Sequence, residues 1–443
     1  MDYFNYVDGE LHIEGVAARH IAEEHGSPVY VYSAQTFRDH FAVLENAFAG
    51  IAPLICFSVK SCSNLSVLKL LVDQGCGLDV VSGGELFRAL KAGAPADKIV
   101  FAGVGKSRDE LVQAIDAGVF LFNAESEAEL LRIDAVASAA GKRVKAAIRV
   151  NPDVADADTP EKTSTGGRQT KFGVPIERAD VLFEAGRYSN VDVVGIHIHL
   201  GSPIPAAKTY LAAIDKVEQM VDRLEAGGRQ IEFINVGGGF PAQYRTEAKP
   251  VCSLTDMGDA ICTRLQGLKA RGKHFIIEPG RSISANAGIL LTTVEYIKQG
   301  WERKIAIVDA GMNVLLRPTL YGASHVIWPA RFNRFGGHWT ALPREDALAD
   351  AGLEAIDIVG PICETGDYFA LGHALPVLGG GDLLAIYSCG AYGMSMASQY
   401  NSRGRPAEVM VDGGKARVIR TRENHADLVA HELCGLTGAH HAG

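Results

Sequence analysis

In "PLICFSVKS" (residues 53–61) an apolar run of strand type, "LICFSV" (54–59), leads into Lys60, and seven further runs of the same texture follow it. They are "GLDVV" (77–81), "IVFAG" (99–103), "VFLFN" (119–123), "AAIRV" (146–150), "VVGIHI" (193–198), "IEFINV" (231–236) and "HFIIE" (274–278). Helical segments separate them. Ser107 and Glu110 in "SRDE" form a capping box, and Gly75, Gly93, Gly118, Gly141 and Gly227 stand at C-terminal stops. Leu211, Ile214, Val217, Val221 and Leu224 make one apolar stripe, suited to packing against a sheet. Eight strands alternating with helices predict an α/β fold of the (β/α)8 type, a TIM-like barrel.

Past residue 283 the texture changes to strands and tight turns, as in "KIAIVDAG" (304–311), "LLAIYS" (383–388) and "AEVMVDGGKARVIR" (407–420), with Asp412-Gly413-Gly414 as a hairpin turn. The opening "YFNYVDGELHI" (3–13), with its own Asp8-Gly9 turn, is expected to pair into that same sheet. The predicted organisation is therefore a barrel over residues 31–283 and a second, mostly β domain, discontinuous, from residues 1–30 and 284–443. Residues 329–350 read as an irregular surface insertion.

Composition narrows the function classes. Of 443 residues, 47% are hydrophobic and 21% charged, which suits a chain with apolar surface to bury and argues against disorder. Forty-three basic against 52 acidic residues give a net charge of -9, the opposite of the basic footprint that neutralises nucleic-acid phosphates. No nucleic-acid partner is expected. Apolar stretches such as "GDLLAIYSCGAYGMSM" (381–396) are interrupted well short of the roughly 20 residues that span a bilayer, so no membrane association is expected. The N-terminus has acidic residues where a signal peptide would carry basic ones. Cysteines 56, 62, 76, 252, 262, 363, 389 and 434 show no CxxC pair, which predicts reduced thiols and a cytoplasmic location.

In such a barrel the C-terminal strand ends converge on one face, so polar residues there are the catalytic candidates. They are Lys60, Asp79, Asn123, Arg149 with Asn151, His197 with His199, Gly237 to Gly239, and Glu278 with Arg281. Lys60 could be an ordinary surface lysine, or an amine in a partly desolvated mouth, where a lowered pKa makes a Schiff-base nucleophile. "NVGGGFP" (235–241) can let backbone N–H groups approach an anion, and its position at the seventh strand end fits a phosphate site. "GVGKS" (103–107) imitates half of a nucleotide loop, but Val100 stands where the motif needs glycine. His197 and His199 share one strand face, as paired metal ligands do, yet no later strand end supplies the further His and Asp of a metal site. On "EPGRS" (278–282) alone, Glu278 and Arg281 could form an ordinary ion pair. The loop "NPDVADADTPEKTSTGGRQTKFG" (151–173) is long and polar, as functional loops often are.

Together, "FSVKS", "LDVVSGGEL", "STGGRQTKFG", "GIHIHLGS", "NVGGGFP", "EPGRS", "GMNVLLRPTLYGASH", "PICETGD" and "GAYGMSMASQYN" stand in one order along nearly the whole chain. In that order they resemble the fold type III, alanine-racemase-like pyridoxal phosphate decarboxylases, the family of ornithine, diaminopimelate and arginine decarboxylases. The resemblance implies pyridoxal 5'-phosphate as cofactor, a small amino acid as substrate, no metal, and a homodimer with shared active sites. It implies Lys60 as the residue that carries the cofactor, His199 as the ring that stacks on it and Glu278 as the partner of its pyridine nitrogen. Asp79, Ser202, Gly238, Gly239, Pro279, Gly280, Arg281 and Tyr392 fall where the family binds the cofactor. Cys363 is similar to the family's proton donor, contributed by the second subunit. Arg281, Arg317 and Tyr321 suit a distal carboxylate and Glu364 a distal ammonium, with Tyr392 beside them. That set implies decarboxylation of meso-2,6-diaminopimelate to L-lysine; ornithine, arginine, carboxynorspermidine or a carrier-linked amino acid stay open as substrates, as does a catalytically silent cofactor-binding homologue. Val59-Lys60-Ser61-Cys62 departs from the family's usual "VKAN", "DTPEKTSTG" (158–166) from "THPYISTG", and Val314 from the acid of "GMND".

Overall fold

The computed structural model describes residues 3–244, 252–332 and 352–437. The chain divides into two compact units, Phe37–Gln243 with Pro250–Ser284, and Met1–Thr36 with Tyr244–Lys249 and Ala285–Gly443.

In the first unit the eight expected strands are all present: β1 (Leu54–Ser58), β2 (Gly77–Val80), β3 (Ile99–Phe101), β4 (Leu121–Ala124), β5 (Val144–Asn151), β6 (Val191–His197), β7 (Phe233–Asn235) and β8 (His274–Ile277). They are parallel neighbours in chain order, and β8 pairs with β1 to close the ring. The interior is layered by the two-residue period of the strands. Cys56, Val100, Leu121, Ala147 and Ile276 form a buried apolar cluster with Val194 and Phe233. Two positions further on along four of these strands stand Ser58, Asn123, Arg149 and Glu278, all buried. Side chains two apart share a strand face, so the composition of the barrel's filling changes from apolar to polar within one pleat. Gly77 keeps this geometry at β2, because a Cβ there would lie 2.5 Å from the Lys98 carbonyl oxygen, and Asp79 follows two residues later.

The connecting helices begin and end where local chemistry requires. In Arg108–Ala117 the Ser107 hydroxyl accepts from the Glu110 amide while the Glu110 carboxylate accepts from the Ser107 amide, and Gly118 ends the helix with φ 74°. Helix Ala207–Ala226 buries Ile214, Val217, Val221 and Leu224 of its expected stripe and leaves Leu211, in its first turns, half-buried. Its reversal falls one residue later than expected, since Gly227 keeps a negative φ and Gly228 takes φ 75°.

The second unit is built on strand Gly288–Gln299, which pairs antiparallel with Val29–Ser33, Leu383–Ile386 and Lys304–Val308. Ala407–Asp412 runs parallel to Val29–Ser33 and turns through Gly413 and Gly414 into Lys415–Arg420, the expected hairpin. Glu354–Val359 lies parallel to Lys304–Val308, with Tyr368–Leu375 outside it. Val29–Ser33 is hydrogen-bonded on both sides within this sheet, so residues 31–36 group with the second unit and not with the barrel. The N-terminal hairpin forms around Asp8 and Gly9 and meets the large sheet only through the chain just past Ile327–Pro329, where Glu10 is bridged to Arg331, the Leu11 amide donates to the Ala330 carbonyl at 2.7 Å and the Phe332 amide to the Gly9 carbonyl at 2.6 Å. Phe4–Val7, Glu10–Ile13 and Val16–Ala17 make a three-stranded sheet of their own, because Gly15 (φ 86°) turns the chain back onto the open edge of Glu10–Ile13. Of the insertion expected at 329–350, residues 333–350 lie outside the described residues. Among the described residues, no helix is long and apolar enough to cross a membrane.

Candidate active site

Lys60 lies in a single turn, Val59–Ser61, that leaves the end of β1. Its Nζ is 2.7 Å from Asp79 Oδ2 and 3.2 Å from Ser58 Oγ, and the Ser58 hydroxyl donates to the same carboxylate oxygen at 2.6 Å. Ser58 and Asp79 are direct partners in the β1–β2 register, so the strand pairing itself sets this triangle. Asp79 is fully buried; burial pushes its carboxyl above the ordinary range while the Lys60 charge pulls it back. A buried carboxylate beside an amine is a device for fixing that amine in place.

Glu278 follows β8 and is held by three strands. Asn123 on β4 and Asn235 on β7 donate to Oε1 at 2.9 and 2.6 Å, and His197 on β6 meets Oε2 at 3.2 Å. Burial alone would raise its pKa, but His197 and the Lys60 charge hold it well below the usual carboxylate range. It is an anion gripped at the centre of the barrel.

His199 lies two residues beyond His197, but its ring answers to another partner, since the Gly238 N–H donates to Nδ1 at 3.1 Å. Nδ1 is therefore the acceptor, and any ring proton sits on Nε2. Burial and the charge of Arg149 lower its pKa well below the ordinary value, which keeps the ring neutral. The loop after β7 must be glycine. A Cβ at Gly238 would lie 2.1 Å from the Glu278 carbonyl oxygen, and one at Gly239, whose φ is 98°, 2.2 Å from the Gly201 carbonyl oxygen. Arg281 is buried, and its Nε donates to Ser202 Oγ at 3.0 Å, so the loops after β6 and β8 are linked at this side. Pro279 accepts from the Ser58 amide at 2.9 Å, and Gly280 packs where a Cβ would meet that of Ser58 at 3.0 Å. Among the described residues, no group of three or more His, Cys, Asp or Glu side chains is placed to hold a metal ion.

Asp79 Oδ1, Asn123 Oδ1, Arg149 Nη2 and His197 Nδ1 are buried without a hydrogen-bond partner, half of such side-chain atoms among the described residues. Their concentration at these strand ends marks a place built for a polar guest. An amine, a central carboxylate, a neutral imidazole and a glycine-lined loop beside an arginine match the aldehyde, ring nitrogen, ring face and phosphate of pyridoxal phosphate.

The remaining candidates belong to the second unit. Arg317 opens the short helix Arg317–Tyr321, is buried, and is 2.8 Å from His325 through Nη1. Tyr321 is exposed. Cys363 and Glu364 are exposed neighbours on the loop between Glu354–Val359 and Tyr368–Leu375; the Cys363 amide donates to Asn401, and Glu364 accepts from the Tyr400 hydroxyl at 2.7 Å. Thr319 donates to the Gly366 carbonyl at 2.7 Å, tying the Arg317 helix to the Cys363 loop. Buried Asp367 anchors that loop by accepting the amides of Met312 and Ile362, both at 2.6 Å. Tyr392, between Ala391 and Gly393, adopts φ 55°.

Several supporting residues escape the sequence reading. Ser58 and Asn235 stand inside quoted motifs without having been singled out, and counting two residues on from Cys56 and Phe233 would have found them; Glu125, whose carboxylate holds Arg149 at 2.6 Å, lies just past β4 and carries no motif. His325 and Tyr400 stand inside quoted motifs, yet nothing in their spacing points to Arg317 or Glu364.

A closed barrel with a lysine at its first strand end and a buried carboxylate at its eighth suits an enzyme that binds pyridoxal phosphate. Residues 34–285 match the family model described as pyridoxal-dependent decarboxylase, pyridoxal binding domain. A diaminopimelate decarboxylase of Pseudomonas fluorescens is 46% identical over 434 residues, 98% of this chain and 99% of that protein. The structure of a Helicobacter pylori diaminopimelate decarboxylase complexed with L-lysine is 39% identical, covers 94% of this chain and 99% of its own, and superposes with a TM-score of 0.85. That of the M. jannaschii enzyme with L-lysine is 34% identical, with coverages of 97% and 98% and a TM-score of 0.88. The chain belongs to the diaminopimelate decarboxylase family.

Proposed function

We propose that this chain removes one carboxylate of meso-2,6-diaminopimelate, at its D-centre, to give L-lysine and CO2, with pyridoxal 5'-phosphate as cofactor. The reading is carried by one observation: a single barrel pairs an amine fixed by a carboxylate, Lys60 Nζ to Asp79 Oδ2 at 2.7 Å, with the anion Glu278 held by Asn123, Asn235 and His197. Relatives that carry the name diaminopimelate decarboxylase, two of them solved with L-lysine, support the choice of substrate.

Pyridoxal phosphate, when bound, supplies a conjugated ring that accepts the electron pair of a breaking carbon–carbon bond. Lys60 would hold it at its aldehyde, and Asp79 and Ser58 aim the amine. Glu278 holds a proton at the ring nitrogen, which is why its carboxylate must stay ionised in a buried place. His199, neutral, covers a ring face without adding a competing charge. Ser202, Gly238, Gly239, Pro279, Gly280, Arg281 and Tyr392 hold the phosphate and its surroundings. Arg281, Arg317 and Tyr321 receive the distal carboxylate and Glu364 the distal ammonium. Cys363 gives its thiol proton to the carbon that lost the carboxylate, so one S–H bond breaks as one C–H bond forms. That thiol comes from the second copy of the chain in a homodimer, and the enzyme works in the cytoplasm.

Purified protein given the cofactor should absorb in the visible and lose that band in Lys60→Ala, while releasing CO2 from diaminopimelate in preference to ornithine, arginine and carboxynorspermidine. No release from any of the four would overturn the reading, and preference for another would move the substrate. Mixed Lys60→Ala and Cys363→Ala chains should recover up to about a quarter of the activity if subunits exchange statistically; no recovery despite exchange would place both groups in one subunit.

A further inference from the structure

His325 is a buried, titratable side chain that the mechanism above leaves unused. Its two ring nitrogens face partners of opposite kind. Nδ1 lies 2.8 Å from the Tyr387 carbonyl oxygen, which can only accept, so Nδ1 carries the proton. Nε2 lies 2.8 Å from Arg317 Nη1, which can only donate, so Nε2 offers its lone pair. A doubly protonated ring would set N–H against N–H beside a guanidinium in a buried place. Two further neighbours are uncharged: the Cys389 thiol, 3.7 Å from Nδ1, is pushed up to about 12 by burial and donates to the Ile386 carbonyl, and the Tyr244 ring lies edge-on at 5.8 Å.

The same Tyr244 ring lies under the Arg317 guanidinium, whose Cζ is 4.9 Å from its centroid. Arg317 is thus held by a face and by one corner. Among the described residues only its Nη1 is hydrogen-bonded, which leaves Nε and Nη2, the edge that grips a carboxylate with two parallel N–H bonds.

From this geometry we infer that neutral His325 is a positioning residue for substrate recognition: through its Nε2 lone pair it aims Arg317 at the carboxylate of the amino-acid centre that does not react. This rests on the proposed assignment of Arg317 to that carboxylate. It makes His325 a determinant of selectivity for amino acids with a distal carboxylate over simple diamines, acting with no contact to the substrate. Imidazole suits the task better than a carboxylate acceptor would, because a carboxylate at that corner would neutralise the arginine and weaken its hold on an anion.

The test uses the cofactor-loaded enzyme with His325→Leu, which removes the acceptor, and His325→Gln, whose Oε1 can stand in for Nε2. In the leucine variant KM for diaminopimelate and the inhibition constant of L-lysine, which retains the distal carboxylate, should rise together by about tenfold, the scale of one lost hydrogen bond to a charged group. The change in kcat should be far smaller, and inhibition by cadaverine, which has no carboxylate, should move less than threefold. The glutamine variant should recover most of the loss. In the wild type, ¹⁵N shifts of histidine-labelled protein, with His325 assigned by difference from the glutamine variant, should show the neutral Nδ1–H form. A ring protonated on Nε2, an unchanged lysine constant in both variants, or equal losses for lysine and cadaverine would overturn the inference. A wild type inactive on diaminopimelate would instead overturn the function on which it rests.

Discussion

Two layers fill the same barrel, and they do opposite things. The apolar layer of Cys56, Val100, Leu121, Ala147 and Ile276 is buried and closely packed. One pleat further on, Ser58, Asp79, Asn123, Arg149, His197, Asn235 and Glu278 are as deeply buried, yet four of these seven carry a buried polar atom with no partner. The first layer stabilises the fold by about 25 cal/mol for each Å² of apolar surface removed from water. The second works against stability, since each orphaned polar atom costs about 1–3 kcal/mol until a guest satisfies it. A barrel can carry that burden in one layer because the neighbouring layer is fully apolar.

Exchanging the character of either layer should separate activity from stability. The largest effect is expected for Glu278→Gln, which keeps the shape and removes the charge. Its kcat should fall by about 10²–10³-fold, the scale of removing one electrostatic partner from an active site, while its denaturation midpoint changes little. A variant with near-normal kcat would break the distinction. Leu121→Ala, in the apolar layer, should do the reverse: a loss of about 2–5 kcal/mol in chemical denaturation, with KM nearly unchanged for the folded fraction.

The smallest effect concerns the rim of the polar layer. Glu85, in the first turn of helix Gly83–Lys91, accepts the Val81 amide at 2.9 Å, and burial raises its carboxyl to about 7, with Lys60 pulling it down and Asp79 up. The folded chain then holds a proton that the unfolded chain, near the ordinary 4.5, has released. Glu85 therefore favours the fold below about pH 4.5, and that contribution is lost as pH rises through about 7. Glu85→Gln should match the wild type in melting temperature at pH 4 and exceed it at pH 8. Equal melting at both values would show that the rim does not titrate there.

The two layers also differ in how far they can be read from the chain. All eight strands and the hairpin at Gly413-Gly414 follow from local patterning, because a two-residue period and a glycine turn are properties of neighbours in sequence. Lys60 and Glu278 stand out because each ends an apolar run with a charge, and Asp79 because it interrupts one. The role of Ser58 is hidden, since a serine inside "LICFSV" gains meaning only from the register that sets it beside Asp79. The N-terminal hairpin shows the same limit: its turn is local, but its partners, Val16–Ala17 on one part of its edge and the chain at Ala330–Phe332 on another, are set by the fold.

What the chain determines by itself is its elements, their order and the chemical type of each strand end, because period, capping and turn formation act over a few residues. Only tertiary structure decides which of those ends meet. Asn123 and Glu278 are 155 residues apart and His197 and Glu278 are 81 apart, yet closure of the ring between β8 and β1 brings them within hydrogen-bond reach. The ionised state of Glu278 and the neutral ring of His199 follow from that closure, since both depend on which groups are buried together and not on which are adjacent in the chain.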